Sequence, residues 1–252
     1  MMNPQQLKKY RRPRICVPIV AKTADEIVNQ AEKIKDCAAQ IVEWRCDYFE
    51  DFADLEHVLS MLQILKNKLH NKELLFTFRT LAEGGQIDIG LKDYEQLCLT
   101  VAKSGLVDLI DIELNMAEFL GRHFIKKLKK RHALVILSHH NFEKTLADPE
   151  MIFKVGLMYQ LGADIGKLAM MPNELNDVLR MMGIIQKAHN FYTLPLAVMA
   201  MGDLGKISRL SGELTGSVFT FGAYGETSAP GQLPVDLLAQ ALDALQIQQE
   251  TD

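Results

Sequence analysis

Cysteine is scarce in this chain, and its spacing excludes the roles that depend on cysteine clusters. Only four cysteines occur among 252 residues, at Cys16, Cys37, Cys46 and Cys98. None forms a C-x-x-C pair, and no cysteine–histidine cluster has the spacing of a zinc site. A disulfide scaffold is therefore excluded, and we predict no metal site. Free thiols of this kind are typical of a protein from a reducing compartment.

The chain also lacks a long apolar run. The polar segment 1–13 precedes the apolar run Ile15–Ala21, which is too short for a signal-peptide core and contains Pro18. A membrane-spanning helix needs about 20 consecutive apolar residues, and no run approaches that length. We therefore predict a cytoplasmic protein with no membrane partner.

An excess of positive charge is absent as well. The chain carries 28 Lys and Arg residues against 32 Asp and Glu residues, a formal net charge of −4. The basic run Lys126–His132 ends a predicted helix, where cations offset the helix dipole. A mildly acidic protein has no electrostatic reason to bind nucleic acid or an anionic membrane. We predict that its partner is a small molecule or another protein.

What the chain has is a regular alternation of short β-type runs with longer amphipathic segments. Hydrophobic residues make up 48% of the sequence, which is enough for a large core. The predicted strands are Ile15–Val20, Ile41–Arg45, Leu74–Arg79, Val107–Leu114, Ala133–Ser138, Asp164–Met170, Leu194–Ala200 and Ser217–Gly222.

A predicted helix follows each of these strands. The spacing Thr23–Glu26 is that of a capping box, and Gly105 and Gly162 stand where helix C-caps are expected. The helical pattern is weakest in Asp203–Leu214. The other predicted helices are Thr23–Ala38, Asp54–Leu69, Asp93–Ser104, Glu118–Arg131, Pro149–Leu161, Asn173–Ala188 and Pro234–Leu245.

Eight such units predict an α/β fold, namely a (β/α)₈ TIM barrel, for which about 250 residues is a typical length. We expect the barrel to form a single domain over residues 1–252. The alternative is a doubly wound open sheet. Such a sheet normally has a glycine-rich phosphate turn after its first strand, and Val20–Thr23 contains no glycine. The barrel is favoured, and its active site is expected at the carboxyl ends of the strands.

Ionisable residues interrupt strands that should be apolar. Side chains alternate between the two faces of a strand, so Glu43 and Arg45 share a face while Trp44 is predicted to pack outward against a helix. Because unpaired buried charges are costly, such residues must meet one another or a polar ligand. The alternative to a functional site is that these residues form ion pairs with one another that only line the barrel. The ionisable residues are Glu43, Arg45, Arg79, Asp111, Glu113, His140 and Lys167.

Lys167 stands among apolar strand residues, with arginines expected nearby. Desolvation and like charge would disfavour its ammonium form, and a free amine attacks a ketone to form a Schiff base. His140 is the natural proton carrier for this chemistry. Glu83 could orient the imidazole, although its Glu-Gly-Gly loop is as typical of a plain turn. His139 should point to the other side of the strand, in a packing or supporting role.

These residues belong to ordered segments that resemble one enzyme family. The segments are Glu43–Asp47, Phe76–Arg79 with Glu83–Gly85, Asp111–Leu114, Ser138–Phe142, Ala163–Lys167 with Met171–Pro172, Ile207–Leu210 and Ser228–Gln232. Together they resemble type I 3-dehydroquinate dehydratase, the Schiff-base lyase of the shikimate pathway, which leads to chorismate and the aromatic amino acids. The segments occur in family order and span nearly the whole predicted barrel.

The resemblance implies catalytic roles for three residues in the dehydration of 3-dehydroquinate to 3-dehydroshikimate. Lys167 would form the imine with the C3 ketone. His140 would remove the C2 proton and protonate the departing C1 hydroxyl, and Glu83 would hold His140 in place. No metal or organic cofactor is implied, because the lysine itself supplies the electron sink.

The resemblance also implies a substrate-binding set. Arg209 matches the residue that binds the substrate carboxylate, a role suited to a bidentate guanidinium. The positions that match binding of the ring hydroxyls and carboxylate are Glu43, Arg45, Arg79, Ser228 and Gln232. Family members are often homodimers, so a homodimer is expected here.

Three positions depart from the family pattern. Gly166 stands where the family usually has proline before the lysine, which predicts a locally looser strand. Pro18 replaces a substrate-contacting serine, and Asn141 replaces a common aspartate. These departures bear on affinity and stability more than on the type of reaction.

Two other functions are compatible with the sequence. A class I aldolase or transaldolase is also a barrel with an imine-forming lysine, but it usually binds a substrate phosphate at glycine-rich loops after the last two strands. A non-catalytic barrel could bind a quinate-like acid as a sensor. Mere binding would not require Lys167, His140 and Glu83 together.

Overall fold

Parallel strands of this chain form a sheet that curls into a barrel. The computed structural model describes residues 12–225 and 228–247. Its strands are β1 Arg14–Ile19, β2 Ile41–Arg45, β3 Glu73–Thr77, β4 Leu109–Glu113, β5 Leu134–Asn141, β6 Ile165–Met170, β7 Leu196–Ala200, β8 Phe219–Ala223 and β9 Leu233–Pro234.

The strand order closes the sheet on itself. Strands β1 to β7 pair in sequence order, β1 also pairs with β8, and the two-residue β9 pairs with β8. The last gap, between β7 and β8, is bridged where the Val218 N–H donates to Leu196 O at 2.9 Å and the Val198 N–H donates to Ser217 Oγ at 3.1 Å. The predicted (β/α)₈ barrel is therefore confirmed, with β9 as an addition that the sequence pattern did not indicate.

Helices cover the outside of the barrel. The Thr23–Glu26 capping box is confirmed at the first of them, and Gly105 and Gly162 adopt left-handed C-cap conformations as predicted. The helices are α1 Ala24–Ile34, α2 Leu55–Lys68, α3 Leu91–Ser104, α4 Leu114–Leu128, α5 Asp148–Leu161, α6 Leu175–His189, α7 Lys206–Leu210, α8 Gly212–Thr215 and α9 Val235–Ala244, with 3₁₀ turns at Cys46–Tyr48, Leu81–Glu83 and Lys129–Arg131.

Three elements differ from the prediction. The weak helix Asp203–Leu214 is two short helices, α7 and α8, because Ser211 leaves the helical conformation between them. Helix α4 begins earlier than predicted and is interrupted at Gly121, whose φ of +73° is non-helical. Strand β5 runs on to Asn141, so both histidines that follow Ser138 belong to the strand.

Strand parity separates two cores. Cys16, Leu75 and Ile136 belong to the cluster inside the barrel, whereas Trp44 packs in the layer between sheet and helices. The Trp44 ring contacts Phe76 with ring centroids 5.8 Å apart. The predicted outward orientation of Trp44 is thus confirmed, and the opposite face of β2 is free to carry charge into the barrel.

Two departures from the family pattern have local structural reasons. The Gly166 N–H donates to Pro195 O at 2.9 Å, a bond that proline cannot make, and a Cβ there would lie 2.7 Å from Leu196 Cδ2. Gly166 is therefore a paired residue of β6 between β5 and β7, and the expected loosening of the strand stays a prediction. Pro18 lies beyond Cys16, where the β1–β8 ladder ends, so its missing N–H removes no bond of that ladder.

Two predictions about the extent of the domain concern residues outside the described ranges. Residues 1–11 of the predicted polar segment 1–13 fall outside the described residues, and a single domain over residues 1–252 stays a prediction. Within the described ranges, no helix is long and apolar enough to cross a membrane.

Candidate active site

The nine site residues named from the sequence line one cavity at the carboxyl ends of the strands. The space between their side chains, including its opening to solvent, is about 480 Å³. These nine residues are Glu43, Arg45, Arg79, Glu83, His140, Lys167, Arg209, Ser228 and Gln232. Elements from β2 to the loop before β9 thus bring together side chains that are far apart in the sequence.

Arg79 is the central cation of the cavity. Its Nη2 donates to Asp111 Oδ1 at 2.8 Å, and its Nη1 donates to Glu113 Oε1 at 3.2 Å and to Ser138 Oγ at 3.0 Å. The neighbouring carboxylates raise the pKa of the buried Arg79 guanidinium well above its ordinary value, although burial opposes them. The guanidinium therefore stays charged and ties β3, β4 and β5 together.

Lys167 points from β6 into the cavity and forms an ion pair with Asp111. Its Nζ lies 3.1 Å from Asp111 Oδ2 and 4.5 Å from the centre of the Phe221 ring. Asp111 is fully buried, and burial would raise its pKa, yet Arg79 and Lys167 lower it well below the ordinary value. The predicted surroundings of Lys167, apolar with arginines nearby, are thus wrong in one respect, because a carboxylate balances its charge.

His140 and Glu83 form a hydrogen-bonded pair in the same cavity as Lys167. His140 Nδ1 lies 2.9 Å from Glu83 Oε2, which also accepts from the His140 backbone N–H at 3.1 Å. Burial lowers the pKa of His140 to about 3, and the charge of Arg79 acts in the same direction. Burial alone would raise the pKa of Glu83, but its contacts with His139 and His140 lower it to about 2.

These protonation states define what the pair can do chemically. At neutral pH Glu83 is a carboxylate and His140 is a neutral imidazole. The Nδ1–H of His140 donates to Glu83, which leaves the Nε2 lone pair free to accept a proton. The pair is therefore arranged as a general base with a fixed orientation.

Hydrogen bonds also hold the two site residues on β2, Arg45 and Glu43. Arg45 donates from Nε and Nη2 to the two oxygens of Asp47, each at 2.7 Å, and Glu43 Oε1 accepts from Thr77 Oγ1 at 2.8 Å. Asp47 accepts from the Arg79 backbone N–H as well, at 3.2 Å. Asp47 thus joins the ends of β2 and β3, a role that the sequence analysis did not assign.

Arg209 differs from the other cations of the cavity because it has no counter-ion among the residues that the structure describes. Its Nη2 donates to Pro230 O at 3.1 Å, and its Nε is buried without a hydrogen-bond partner. Among residues 12–225 and 228–247, no carboxylate forms an ion pair with it. Burial lowers the pKa of Arg209 to about 10. Since burial of an uncompensated charge is costly, this guanidinium is suited to bind an anion.

Described residues of the segment before β9 line the cavity beside Arg209, among them Ser228 and Gln232. Gln232 Nε2 donates to Ser228 Oγ at 2.9 Å, and the Ser228 backbone N–H donates to Gln232 Oε1 at 3.0 Å. The two polar residues that the resemblance places in substrate binding therefore support one another.

The apolar part of the cavity was not predicted. Met199, Met201, Phe221 and Phe142 line it. Parity along β7 could have indicated the two methionines, because they share a strand face with Ala197, which faces the barrel interior. At the end of β5, Asn141 Oδ1 accepts from two backbone N–H groups at 2.9 and 3.0 Å, which an aspartate oxygen would do equally.

The fold and this cavity define a (β/α)₈-barrel enzyme that presents a buried lysine beside a histidine–carboxylate pair. Residues 15–249 match the sequence profile of the type I 3-dehydroquinase family. The chain is 39% identical to the 3-dehydroquinate dehydratase of Clostridioides difficile strain 630, over 93% of this chain and 92% of that protein. It is 41% identical to the enzyme of the same name from Clostridium botulinum strain Eklund 17B, over 92% of each chain.

Solved structures agree with the sequence relatives. The crystal structure of type I 3-dehydroquinate dehydratase from Clostridium difficile superposes with a TM-score of 0.89 at 39% identity, covering 93% of this chain and 92% of that one. The enzyme of Geobacillus kaustophilus superposes with a TM-score of 0.89 at 33% identity, covering 92% and 91%. The chain belongs to the type I 3-dehydroquinase family, a family of lyases, and not to the aldolases.

The Glu-Gly-Gly loop yields a first prediction. A Cβ at Gly85 would lie 1.9 Å from Arg79 O, a backbone atom that cannot move aside, whereas a Cβ at Gly90 would meet only Asp93 Oδ2, at 3.5 Å. We expect Gly85→Ala to displace the loop that carries Glu83 and to lower kcat at least about tenfold. Gly90→Ala in the same loop is the matched control. Equal kcat values for the two variants would show that the glycine only forms a turn.

The burial of neutral His140 yields a second prediction. Its pKa is about 3 in the folded protein and near 6.5 when unfolded, so from pH 6.5 downwards the unfolded state binds the extra proton and stability falls. Between pH 7 and pH 5 the wild type should lose about 2 kcal/mol more unfolding free energy than His140→Gln, measured with urea. His123→Gln, at an exposed histidine, is the control. Parallel losses in wild type and His140→Gln would contradict the prediction.

Proposed function

We propose that this protein dehydrates 3-dehydroquinate to 3-dehydroshikimate, with Lys167 as the nucleophile and His140 as general acid and base. The observation that carries the proposal is that a buried lysine and a neutral imidazole open onto the same cavity. The names of the relatives supply the substrate, and the polar lining of the cavity suits a small hydroxylated acid.

Substrate binding would begin at Arg209. The carboxylate of 3-dehydroquinate supplies the negative charge that this buried guanidinium lacks within the described residues, and a carboxylate matches its planar fork. The ring hydroxyls would then meet the polar groups of Glu43, Arg45, Arg79, Ser228 and Gln232.

Covalent chemistry would follow at the C3 ketone. The Lys167 amine adds to the carbonyl carbon, and loss of one water gives the imine. The C. difficile relative is described with covalently modified comenic acid, which supports covalent catalysis in this family. The protonated imine draws electrons from the adjacent C2–H bond and so acidifies it.

His140 would complete the elimination. Its Nε2 takes the C2 proton, and the electrons of that bond move into the enamine. The enamine then expels the C1 hydroxyl, which leaves as water with the proton that His140 carries. Water finally hydrolyses the imine, which restores Lys167 and releases 3-dehydroshikimate. One water is lost overall, since the water consumed in hydrolysis balances the water lost in imine formation.

Borohydride trapping tests the proposal. Reduction in the presence of 3-dehydroquinate should leave a covalent adduct on Lys167, located by intact mass and peptide mapping. The variant Lys167→Met should form no such adduct. Lys206→Met, at an exposed lysine, is the matched control and should still be trapped on Lys167. An adduct on another lysine, or none, would overturn the proposal. Substrate binding without turnover would favour the sensor alternative.

The His140→Ala variant separates the two stages of the reaction. Removal of the base should lower dehydration about 10²–10⁴-fold, because a positioned acid–base group contributes that much. Borohydride should still trap some adduct on Lys167, since imine formation does not need the C2 proton. Turnover at the wild-type rate would remove His140 from the mechanism.

We also propose a cytoplasmic homodimer. The neighbouring helices α4, α5 and α6 expose Phe119, Phe153, Leu175 and Leu179, which are 65–79% accessible, and large apolar side chains exposed on adjoining helices support an interface. Light scattering should report a dimer for the wild type and a shift towards monomer for Phe153→Glu. Leu237→Glu, on α9, should leave the mass unchanged. A monomeric wild type would contradict the proposal.

A further inference from the structure

His139 is a buried histidine with no function in the proposed reaction. It lies on β5 next to His140, but its side chain does not line the cavity. It is 9% exposed, and neither ring nitrogen has a hydrogen-bond partner within the described part of the chain. Because buried polar groups are nearly always paired, an imidazole in this state calls for an explanation.

His139 lies within ion-pair distance of the carboxylate that holds His140. His139 Nδ1 lies 3.5 Å from Glu83 Oε1, on the oxygen that His140 does not use. The only other side-chain donor to Oε1 in the described residues is Asn115 Nδ2, also at 3.5 Å. Glu83 Oε2, in contrast, takes two short bonds from His140. The carboxylate is thus held firmly at one oxygen and loosely at the other.

We propose that His139 is a positioning residue. It holds Oε1 of Glu83 and so fixes the carboxylate that orients His140. The proposal rests on the function proposed above. With its proton on Nδ1, the imidazole donates towards Oε1, while the peptide chain of β5 fixes its distance from His140. Catalytic hydrogen bonds are often long without substrate and shorten when it binds.

The ionisation of Glu83 supports this role. Burial would raise the pKa of this carboxylate, and the contact with His139 acts together with that of His140 to keep it low. The imidazolium that forms when His140 accepts a proton needs a carboxylate beside it. Loss of His139 should therefore weaken the support for His140 without changing the groups that contact substrate.

Three variants of His139 test the proposal. His139→Phe keeps an aromatic ring and removes both nitrogens, and kcat should fall about five- to tenfold, the effect of one hydrogen bond, while KM changes less than about twofold. In His139→Asn the amide nitrogen stands where Nδ1 stood, so kcat should recover. In His139→Gln the amide stands near the place of Nε2, and kcat should stay low.

The pH profile and a control variant separate positioning from packing. The acid limb of kcat should move to higher pH in His139→Phe, because Glu83 loses a contact that lowers its pKa. His123→Phe, at an exposed histidine of α4, should match the wild type in kcat and melting temperature. A lower melting temperature with an unmoved profile, or equal recovery by Asn and Gln, would overturn the proposal.

Borohydride trapping distinguishes this proposal from the one on which it rests. The adduct on Lys167 should form in His139→Phe as in the wild type. Trapping that fails in the wild type overturns the proposed function. Trapping that succeeds in both proteins, together with full kcat in His139→Phe, overturns only the role of His139.

Discussion

The geometry of this site depends on the buried guanidinium of Arg79. It lies within hydrogen-bond or ion-pair distance of Asp111 and Glu113, both on β4, and of Glu83 in the turn Leu81–Glu83. Without that cation the three carboxylates would be buried close together and would lack their shared counter-ion, which is strongly destabilising. Two of them also fix a second group: Asp111 pairs with Lys167, and Glu83 holds His140. One charge therefore sets the positions of both the lysine and the imidazole.

Charge is distributed unevenly around the cavity, and this asymmetry determines how a substrate can enter it. On the side of β2 to β6, the cations Arg45, Arg79 and Lys167 each face a carboxylate of the chain. On the side of β7 and β8, Arg209 has no carboxylate partner among the residues that the structure describes. An anion is therefore attracted to Arg209 and not to the satisfied pairs. In the proposed reaction, the ring of the substrate would then lie across the cavity, where Met199 and Phe221 offer apolar contact.

Much of the fold and part of the site could be predicted from local rules. Alternation within strands placed Glu43 inside and Trp44 outside, since the face of a strand depends only on parity. Pairing could not be predicted, because parity gives a direction and no distance; Lys167 was expected beside arginines and meets Asp111. The 3₁₀ turn Leu81–Glu83 was missed because three residues carry no periodicity. Its position follows from tertiary contacts with β5.

The ion pair between Lys167 and Asp111 poses the remaining chemical question, which is where the lysine proton goes. For Nζ to attack a ketone it must first be a free amine. Asp111 is a poor acceptor, because its neighbouring cations hold its pKa well below the ordinary value. His140 has a free Nε2, but burial and the charge of Arg79 keep its pKa near 3. In the proposed reaction, an anion bound at Arg209 would add negative charge and so favour the imidazolium. His140 would return that proton to the hydroxyl that leaves as water during imine formation, and would again be a neutral base when it takes the C2 proton. Binding of an acidic substrate and release of the amine would thereby be coupled.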